Sequence, residues 1–212
     1  QLQRILHREW LRIAYGDLVR KQTPDTVLEQ TSYLYEGLLA AAFQVAVSRT
    51  TSDNDSSLTD QFAVIALGDL AANQMCYGDT VKIMVLYEGP KVLAAKLNNS
   101  AFADLLHKVL AKTLGLLTSA TGEPLFTVDV SFPLSNNDSS PATNLNAAVR
   151  YLDFSGRTWQ RCALIGARPC IGNAELGAEF LRRINKWIYR RYLSRADMTG
   201  LRSQKRRLYR RD

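Results

Sequence analysis

Hydrophobic residues recur every three or four positions through the first fifty residues, which predicts two amphipathic helices. The first covers residues 2–21. The second follows Thr23, whose hydroxyl is suited to an N-cap, and has Pro24 at its first position, where the missing N–H costs no hydrogen bond. It continues to about Arg49. Because only a short turn separates the two helices, we expect an antiparallel pair.

The pattern changes in the stretch FAVIALGDLAANQMCYGDTVKIMVLYE, where continuous apolar runs replace the helical spacing. Residues 62–67 and 81–87 are short and apolar, which is typical of buried strands. Gly68 ends the first of them. Ala71 and Ala72 are small enough to allow a tight turn or one helical turn before the second strand begins.

The rest of the chain is predicted to contain one further strand and five further helices. The strand covers 125–132, where apolar and polar residues alternate. The helices are predicted at 100–114, 145–154, 157–167, 175–193 and 194–211, and polar loops at 50–60 and 135–144. Ser194 opens the last helix with Asp197 as its capping-box partner. Helices flanking a small mixed sheet place the chain in the α+β class.

Charge is distributed unevenly along the 212 residues. Residues 182–212 hold 12 Lys and Arg against two Asp, so the net charge of +7 belongs to a basic C-terminal arm on a mildly acidic body. Arginines near its end are candidate phosphate contacts, which makes nucleic acid a candidate partner: Arg206, Arg207, Arg210 and Arg211. The alternative is a solvated helical face.

The three cysteines, Cys76, Cys162 and Cys170, have no CxxC spacing and lie in apolar or mixed surroundings. We expect buried free thiols in a reducing compartment rather than a zinc site. No apolar run approaches the roughly 20 residues that a membrane span requires. The N-terminal residues do not resemble a signal peptide. These patterns predict a cytoplasmic protein without membrane association.

A strand, a glycine-bearing turn and a second strand preceded by acidic residues is the arrangement of the polymerase-β-like nucleotidyltransferases. In that superfamily, backbone amides at the turn hold the triphosphate. Two carboxylates at positions i and i+2 open the second strand and point to one face, and a third comes from a neighbouring strand. Together they hold two divalent metals that stabilise the attacking and leaving oxygens of an in-line displacement.

Several segments, in the right order, make nearly the whole chain resemble glutamine synthetase adenylyltransferase. They are HREWLRIAYGDLV, FAVIALGDLAANQMCYGDTVKIMVLY, FTVDVSF, SGRTWQRCALIGARP and IYRRYLSRADMTGLRSQKRRL. The resemblance implies AMP transfer and removal with Mg²⁺ and ATP, and glutamine synthetase as the protein partner. It also implies three segments: a helical lead-in (1–50), a nucleotidyltransferase-like domain (51–170) and basic helices that begin a truncated bundle (171–212).

The glycine-rich turn of this chain departs from the family pattern. The family expects four glycines, of which this chain keeps Gly68, while Ala71 and Ala72 replace two others. Asp69 stands where the family has a phosphate-facing lysine. The backbone shape of a nucleotide-binding turn is therefore expected without its charge.

The metal-binding acids are replaced as well. Thr80 and Lys82 stand at the two carboxylate positions of the second strand, so that Asp129 alone remains. We therefore predict a degenerate, inactive unit that holds neither metal nor nucleotide and acts as a structural or regulatory protein-interaction module. The alternative is an active AMP-transferring enzyme in which Asp79 and Asp129 hold Mg²⁺ and ATP.

Three residues in the motif SGRTWQRCALIGARP are predicted to be structural: Arg157, Trp159 and Arg168. We expect the ring of Trp159 to fill the core. Arg157 is expected to bind a neighbouring carboxylate.

Overall fold

The computed structural model describes residues 1–50, 56–88, 99–119, 121–134 and 141–208. Over these ranges the chain is a small mixed five-stranded sheet flanked by helices, which confirms the predicted α+β class and agrees with a nucleotidyltransferase-like fold. No helix in the described part of the chain is long and apolar enough to cross a membrane.

The elements follow one another in a mixed order. The helices are α1 (Leu2–Leu18), α2 (Pro24–Ser48), α3 (Gly68–Ala71), α4 (Asn99–Leu116), α5 (Leu145–Ser155), α6 (Thr158–Ala163), α7 (Ala174–Ile188) and α8 (Arg195–Leu208), with a 3₁₀ helix at Ser56–Gln61. The strands are β1 (Phe62–Leu67), β2 (Val81–Tyr87), β3 (Val128–Asp129), β4 (Ala142–Asn144) and β5 (Arg168–Gly172).

The first two helices form the predicted pair. Thr23 caps α2, its hydroxyl accepting a hydrogen bond from the backbone N–H of Thr26 at 3.4 Å. The first helix ends at Leu18, a few residues earlier than predicted. Lys21 then adopts a left-handed backbone conformation, with φ at 53°, as the chain turns into α2.

The sheet is built around β1, which lies in its centre. The strand order is β3-β2-β1-β5, and β4 pairs with β2. β1 runs antiparallel to both β2 and β5, whereas β3 and β4 run parallel to β2. The two central strands have the bounds that their apolar runs predict. All six residues of β1 are buried, as expected for a strand covered on both faces.

Successive residues of β1 belong to two hydrophobic cores on opposite faces of the sheet. Phe62, Val64 and Ala66 pack with side chains of α1, α2 and α4. Ala63, Ile65 and Leu67 pack with side chains of α5 and α7. The sheet is therefore the middle of three layers, and its second face carries the cleft described below.

Several sequence expectations are wrong in extent. The helix predicted at 175–193 ends at Ile188. The strand predicted at 125–132 is reduced to Val128–Asp129, because only those residues pair with β2. The helix predicted at 157–167 ends at Ala163, and the chain then turns through Gly166 at a φ of 74°. The loop predicted at 50–60 contains the 3₁₀ helix in its described part. The loop predicted at 135–144 contains β4 in its described part. β5 was not predicted, and it spans the domain boundary predicted at residue 170.

Candidate functional site

A cleft of about 490 Å³ lies on the second face of the sheet, where β1 ends and β2 begins. Its walls come from both strands, from the chain after β3, and from α6 and α8. Its lining residues are Leu67, Gly68, Asp69, Lys82, Ile83, Asp129, Ser131, Phe132, Pro133, Trp159, Cys162, Ala163 and Gln204. The volume lies in the range of small-molecule sites.

The floor of the cleft brings together a cation and a carboxylate from neighbouring strands. β2 and β3 pair so that Lys82 stands directly opposite Asp129. Asp129 accepts hydrogen bonds through Oδ1 from the backbone N–H of Ser131 at 2.8 Å and from its hydroxyl at 2.5 Å. Lys82 is exposed, and its ammonium group has no hydrogen-bond or ion-pair partner among the described residues.

Asp79 and Thr80 lie outside the described lining of this cleft. The carboxylate of Asp79 accepts a hydrogen bond from the backbone N–H of Cys76 at 2.7 Å, and the N–H of Asp79 donates to the carbonyl of Cys76 at 3.3 Å. Asp79 thus closes the turn that leads into β2. Gly78 supports this turn with a φ of 77°. The structure brings Lys82 and Asp129 together, and it leaves Asp79 in a different environment.

The turn after β1 keeps the backbone geometry of its glycine. Gly68 has a φ of 55°, and open space surrounds the position where a Cβ would stand. Its carbonyl accepts from the N–H of Ala72 at 3.0 Å, which closes the single helical turn α3 that the small residues predict. Ala71 is buried beneath this turn, whereas Ala72 and Asp69 are exposed.

Arg168 fastens this turn to the rest of the protein. Its guanidinium makes a bidentate ion pair with Glu36 of α2, at 3.0 and 2.5 Å. It also donates to the carbonyls of Leu70 and Ala71 and to the side-chain oxygen of Asn73, at 3.3, 3.1 and 2.9 Å. The hydrogen bonds with Glu36 raise the pKa of Arg168 above its ordinary value. The guanidinium is therefore a permanently charged link between α2, α3 and β5.

Trp159 lines the cleft instead of filling the core, so the expectation for its ring is wrong. It is 36% exposed, and it packs edge-on against Phe132 with ring centroids 5.7 Å apart. The helix that carries it has only six residues and lies at the cleft wall. Arg157 is exposed and makes no ion pair among the described residues. The expected carboxylate contact is made by Arg161 instead.

Arg161 and Asp197 dock α8 onto α6. The guanidinium of Arg161 donates to the Asp197 carboxylate at 2.7 Å and to the carbonyl of Trp187 at 3.1 Å. Asp197 also completes the predicted capping box with Ser194, accepting from its N–H at 3.1 Å. The hydrogen bond from Arg161, followed by those from Ser194, lowers the pKa of Asp197 to about 2. Docking brings Gln204 to the cleft, which the sequence pattern did not indicate.

The candidate phosphate contacts of the C-terminal arm are only partly described. Arg206 is exposed on α8. The side chain of Arg207 and the whole of Arg210 and Arg211 lie outside the described residues. Their contact with phosphate stays a prediction.

The cysteines are free, but the expectation that all three are buried is wrong. Cys76 is exposed, whereas Cys162 and Cys170 are half-buried. Burial raises the pKa of the Cys170 thiol to about 12, so it is a neutral thiol at neutral pH. Burial also raises the pKa of Cys162, which lies in the cleft wall.

A pair of divalent metals does not fit the cleft floor. Magnesium requires oxygen ligands, and a two-metal site requires several carboxylates around one point. The strand position opposite Asp129 instead presents the ammonium group of Lys82. Among the described residues, no group of three or more His, Cys, Asp or Glu is placed to hold a metal ion.

The chain is similar in sequence to known proteins. The chain is 27% identical over 96% of its length to the "Bifunctional glutamine synthetase adenylyltransferase/adenylyl-removing enzyme" of Pseudomonas syringae pv. tomato, of which it covers 21%. It is 23% identical over 99% of its length to the protein of that name from Brucella suis biovar 1, of which it covers 22%. The chain thus spans about a fifth of these relatives.

A sequence model of the family "GlnE: Glutamate-ammonia ligase adenylyltransferase" matches residues 1–183. That range includes the sheet, the turn after β1 and most of the cleft. The chain therefore belongs to the glutamate-ammonia ligase adenylyltransferase family.

Proposed function

We propose that this chain is a nucleotidyltransferase-like unit that has lost catalysis and acts through protein contacts, as a structural or regulatory module. The carrying observation is the register of β2 and β3, which sets Lys82 opposite Asp129. The family pattern requires a carboxylate at that position. Asp79, the nearest acid in the sequence, holds the turn before β2 through its bond to Cys76.

The electrostatic consequence of Lys82 is large. Two unit charges about 4 Å apart interact by about 4 kcal/mol at an effective dielectric constant of 20. A lysine in place of a carboxylate changes the sign of this interaction for a nearby metal ion. Each loss of about 1.4 kcal/mol costs a factor of about ten in occupancy or rate, so this replacement alone removes several orders of magnitude.

Exposed apolar side chains support the protein-contact part of the proposal. Between α7 and α8, Tyr189, Tyr192 and Leu193 are 59%, 79% and 40% exposed. Aromatic residues of this kind often dominate the binding energy of protein interfaces. The names of the curated relatives state that they act on glutamine synthetase. Glutamine synthetase is therefore the protein partner that we propose.

Calorimetry tests the loss of catalysis directly. We expect no magnesium-dependent binding of ATP at micromolar concentration and no transfer of AMP to glutamine synthetase. We expect glutamine synthetase itself to bind, with an affinity that Mg-ATP does not alter. Magnesium-dependent ATP binding or AMP transfer by the native chain would overturn the proposal in favour of an active enzyme using Asp79 and Asp129.

A double substitution provides the converse test. Because the cleft keeps the backbone of the turn and Asp129, Thr80→Asp with Lys82→Asp is expected to create magnesium binding measurable by calorimetry. The matched control adds Asp129→Asn to the double variant and should abolish the gained binding. A double variant that folds like the native chain and binds no magnesium would show that more than these two carboxylates has been lost.

A further inference from the structure

We propose that the cleft binds a nucleoside, meaning an aromatic base on a hydroxylated sugar without phosphate, and that it discriminates against nucleotides in proportion to their charge. The inference rests on the proposed function, because it takes the metal site to be lost. A metal-dependent nucleotide site favours ligands that carry phosphate. We assign this cleft a ligand without phosphate instead.

The aromatic part of the ligand is suggested by one wall of the cleft. Trp159 keeps 36% of its surface exposed, and the edge-on contact with Phe132 fixes the orientation of the two rings. Pro133 continues this apolar wall. An exposed indole at the edge of a preformed cleft is a stacking platform for a flat heterocycle, since every base presents a π-face.

The sugar is suggested by two carboxylates in the lining of the cleft. The carboxylate of Asp69 has no hydrogen-bond or ion-pair partner among the described residues. Asp129 uses Oδ1 for Ser131, which leaves Oδ2 without a partner in the described part of the chain. Ionised carboxylates only accept hydrogen bonds, so they require a ligand with donors. The hydroxyl groups of a sugar supply such donors.

The charge of the lining argues against phosphates. Asp69, Asp129 and Lys82 give the described lining a net charge of one negative unit. A cleft of about 490 Å³ brings a phosphate group close to at least one of the two carboxylates, and the floor offers no carboxylate set to hold a compensating metal. Each added phosphate therefore increases the repulsion, whereas a nucleoside meets none.

The experiment is a titration of the full chain with adenosine, AMP and ATP in the presence of EDTA, followed by calorimetry and tryptophan fluorescence. We expect adenosine to bind most tightly, AMP about tenfold or more weaker, and ATP weakest. Affinity that rises with the number of phosphates would overturn the inference. So would the absence of adenosine binding at millimolar concentration.

Two pairs of variants locate the site. Asp69→Lys should shift the preference towards AMP, whereas Asp153→Lys makes the same charge change on the exposed surface of α5 and should leave the order unchanged. Trp159→Ala should weaken adenosine binding by about tenfold, and Trp159→Phe should retain most of it, because stacking needs a ring. An unaltered affinity in Trp159→Ala would place the ligand elsewhere and overturn the inference.

The outcome is separable from that of the proposed function. If magnesium-dependent ATP binding is found, the proposed function fails. If neither nucleoside nor nucleotide binds, the loss of catalysis stands and only this inference fails.

Discussion

Arg168 has four polar partners: Glu36 of α2, Leu70 and Ala71 of α3, and Asn73 just after α3. One guanidinium donates to the carboxylate of Glu36 and to two carbonyl groups of α3, which would otherwise lack donor partners at this short helix end. Charge-assisted bidentate bonds are the strongest side-chain hydrogen bonds in proteins. The shape of the turn after β1 therefore depends on a residue about a hundred positions later in the chain.

Replacing Arg168 by Leu should lower the free energy of unfolding by about 2–3 kcal/mol, because it leaves a half-buried carboxylate and two carbonyl groups unpaired. Urea unfolding measures the loss. The matched control is Arg182→Gln, which breaks the exposed ion pair with Glu179 and should cost under about 0.5 kcal/mol. Equal losses in the two variants would contradict a special role for Arg168.

The sequence predicted the chemistry of single residues better than their surroundings. Lys82 and Asp129 were expected on neighbouring strands, and they are register partners. Trp159 was expected in the core because large aromatic rings usually lie there. Its actual place depends on α6 ending after six residues, and no local pattern around Trp159 indicates that end.

Among the elements, α8 is joined to α6 by a largely buried ion pair. Asp197 joins it to Arg161, which is only 5% exposed and also lies over the ring of Trp187 at 5.0 Å. Gly200 permits the close approach, since a Cβ there would lie 2.9 Å from the side chain of Thr158. Docking of α8 therefore needs both the ion pair and the missing side chain.

The ion pair makes the docking of α8 sensitive to acid. The pKa of Asp197 falls from an ordinary 3.8 to about 2 in the folded protein, so its contribution to stability is full above about pH 4. That contribution is lost as the pH falls from about 4 to about 2, because protonation then occurs in both states.

Asp197→Asn should therefore lower the free energy of unfolding by about 1–2 kcal/mol at pH 6. The difference between the native chain and the variant should shrink as the pH approaches 2. Urea unfolding at pH 6, 4 and 3 provides the measurement. A difference that is independent of pH would show that the charge of Asp197 is not what holds α8.

Central and peripheral elements differed in how well their sequences predicted them. β1 is a continuous apolar run that is covered on both faces, and β2 is apolar and buried at every position except Lys82, so the bounds of both strands were predicted to the residue. In the part of the chain that the structure describes, β5, with the sequence RPCIG, pairs with β1 alone at the edge of the sheet, where Pro169 is tolerated. Its five residues do not alternate between apolar and polar as a strand would. The strand is therefore recognisable only from its pairing with β1 in the folded protein.

At the scale of the whole molecule, β1 contributes alternate side chains to the two cores. Neither core can lose its contacts with β1 without exposing the other face of the same strand. Pairing with β1 also continues across residue 170, since β5 spans that position. The described layers are therefore expected to unfold as one cooperative unit.

Tryptophans report on the two cores separately. Trp10 packs against the first core and Trp187 belongs to the second. In two variants that each retain one of these tryptophans, with Phe at the other two positions, the urea midpoint from fluorescence should equal that from circular dichroism. Midpoints that differ within one variant would show that the predicted segments 1–50, 51–170 and 171–212 unfold separately.

The contact between Glu36 and Arg168 also has a mechanical consequence. A short, bidentate, partly buried link transmits displacement between the elements it joins, whereas flexible side chains absorb it. A protein that pushes against α2 would thus shift the wall of the cleft without touching any cleft residue. The fluorescence emission of Trp159 should change in the native chain when a protein binds against α2. It should not change when Arg168 is replaced by Leu.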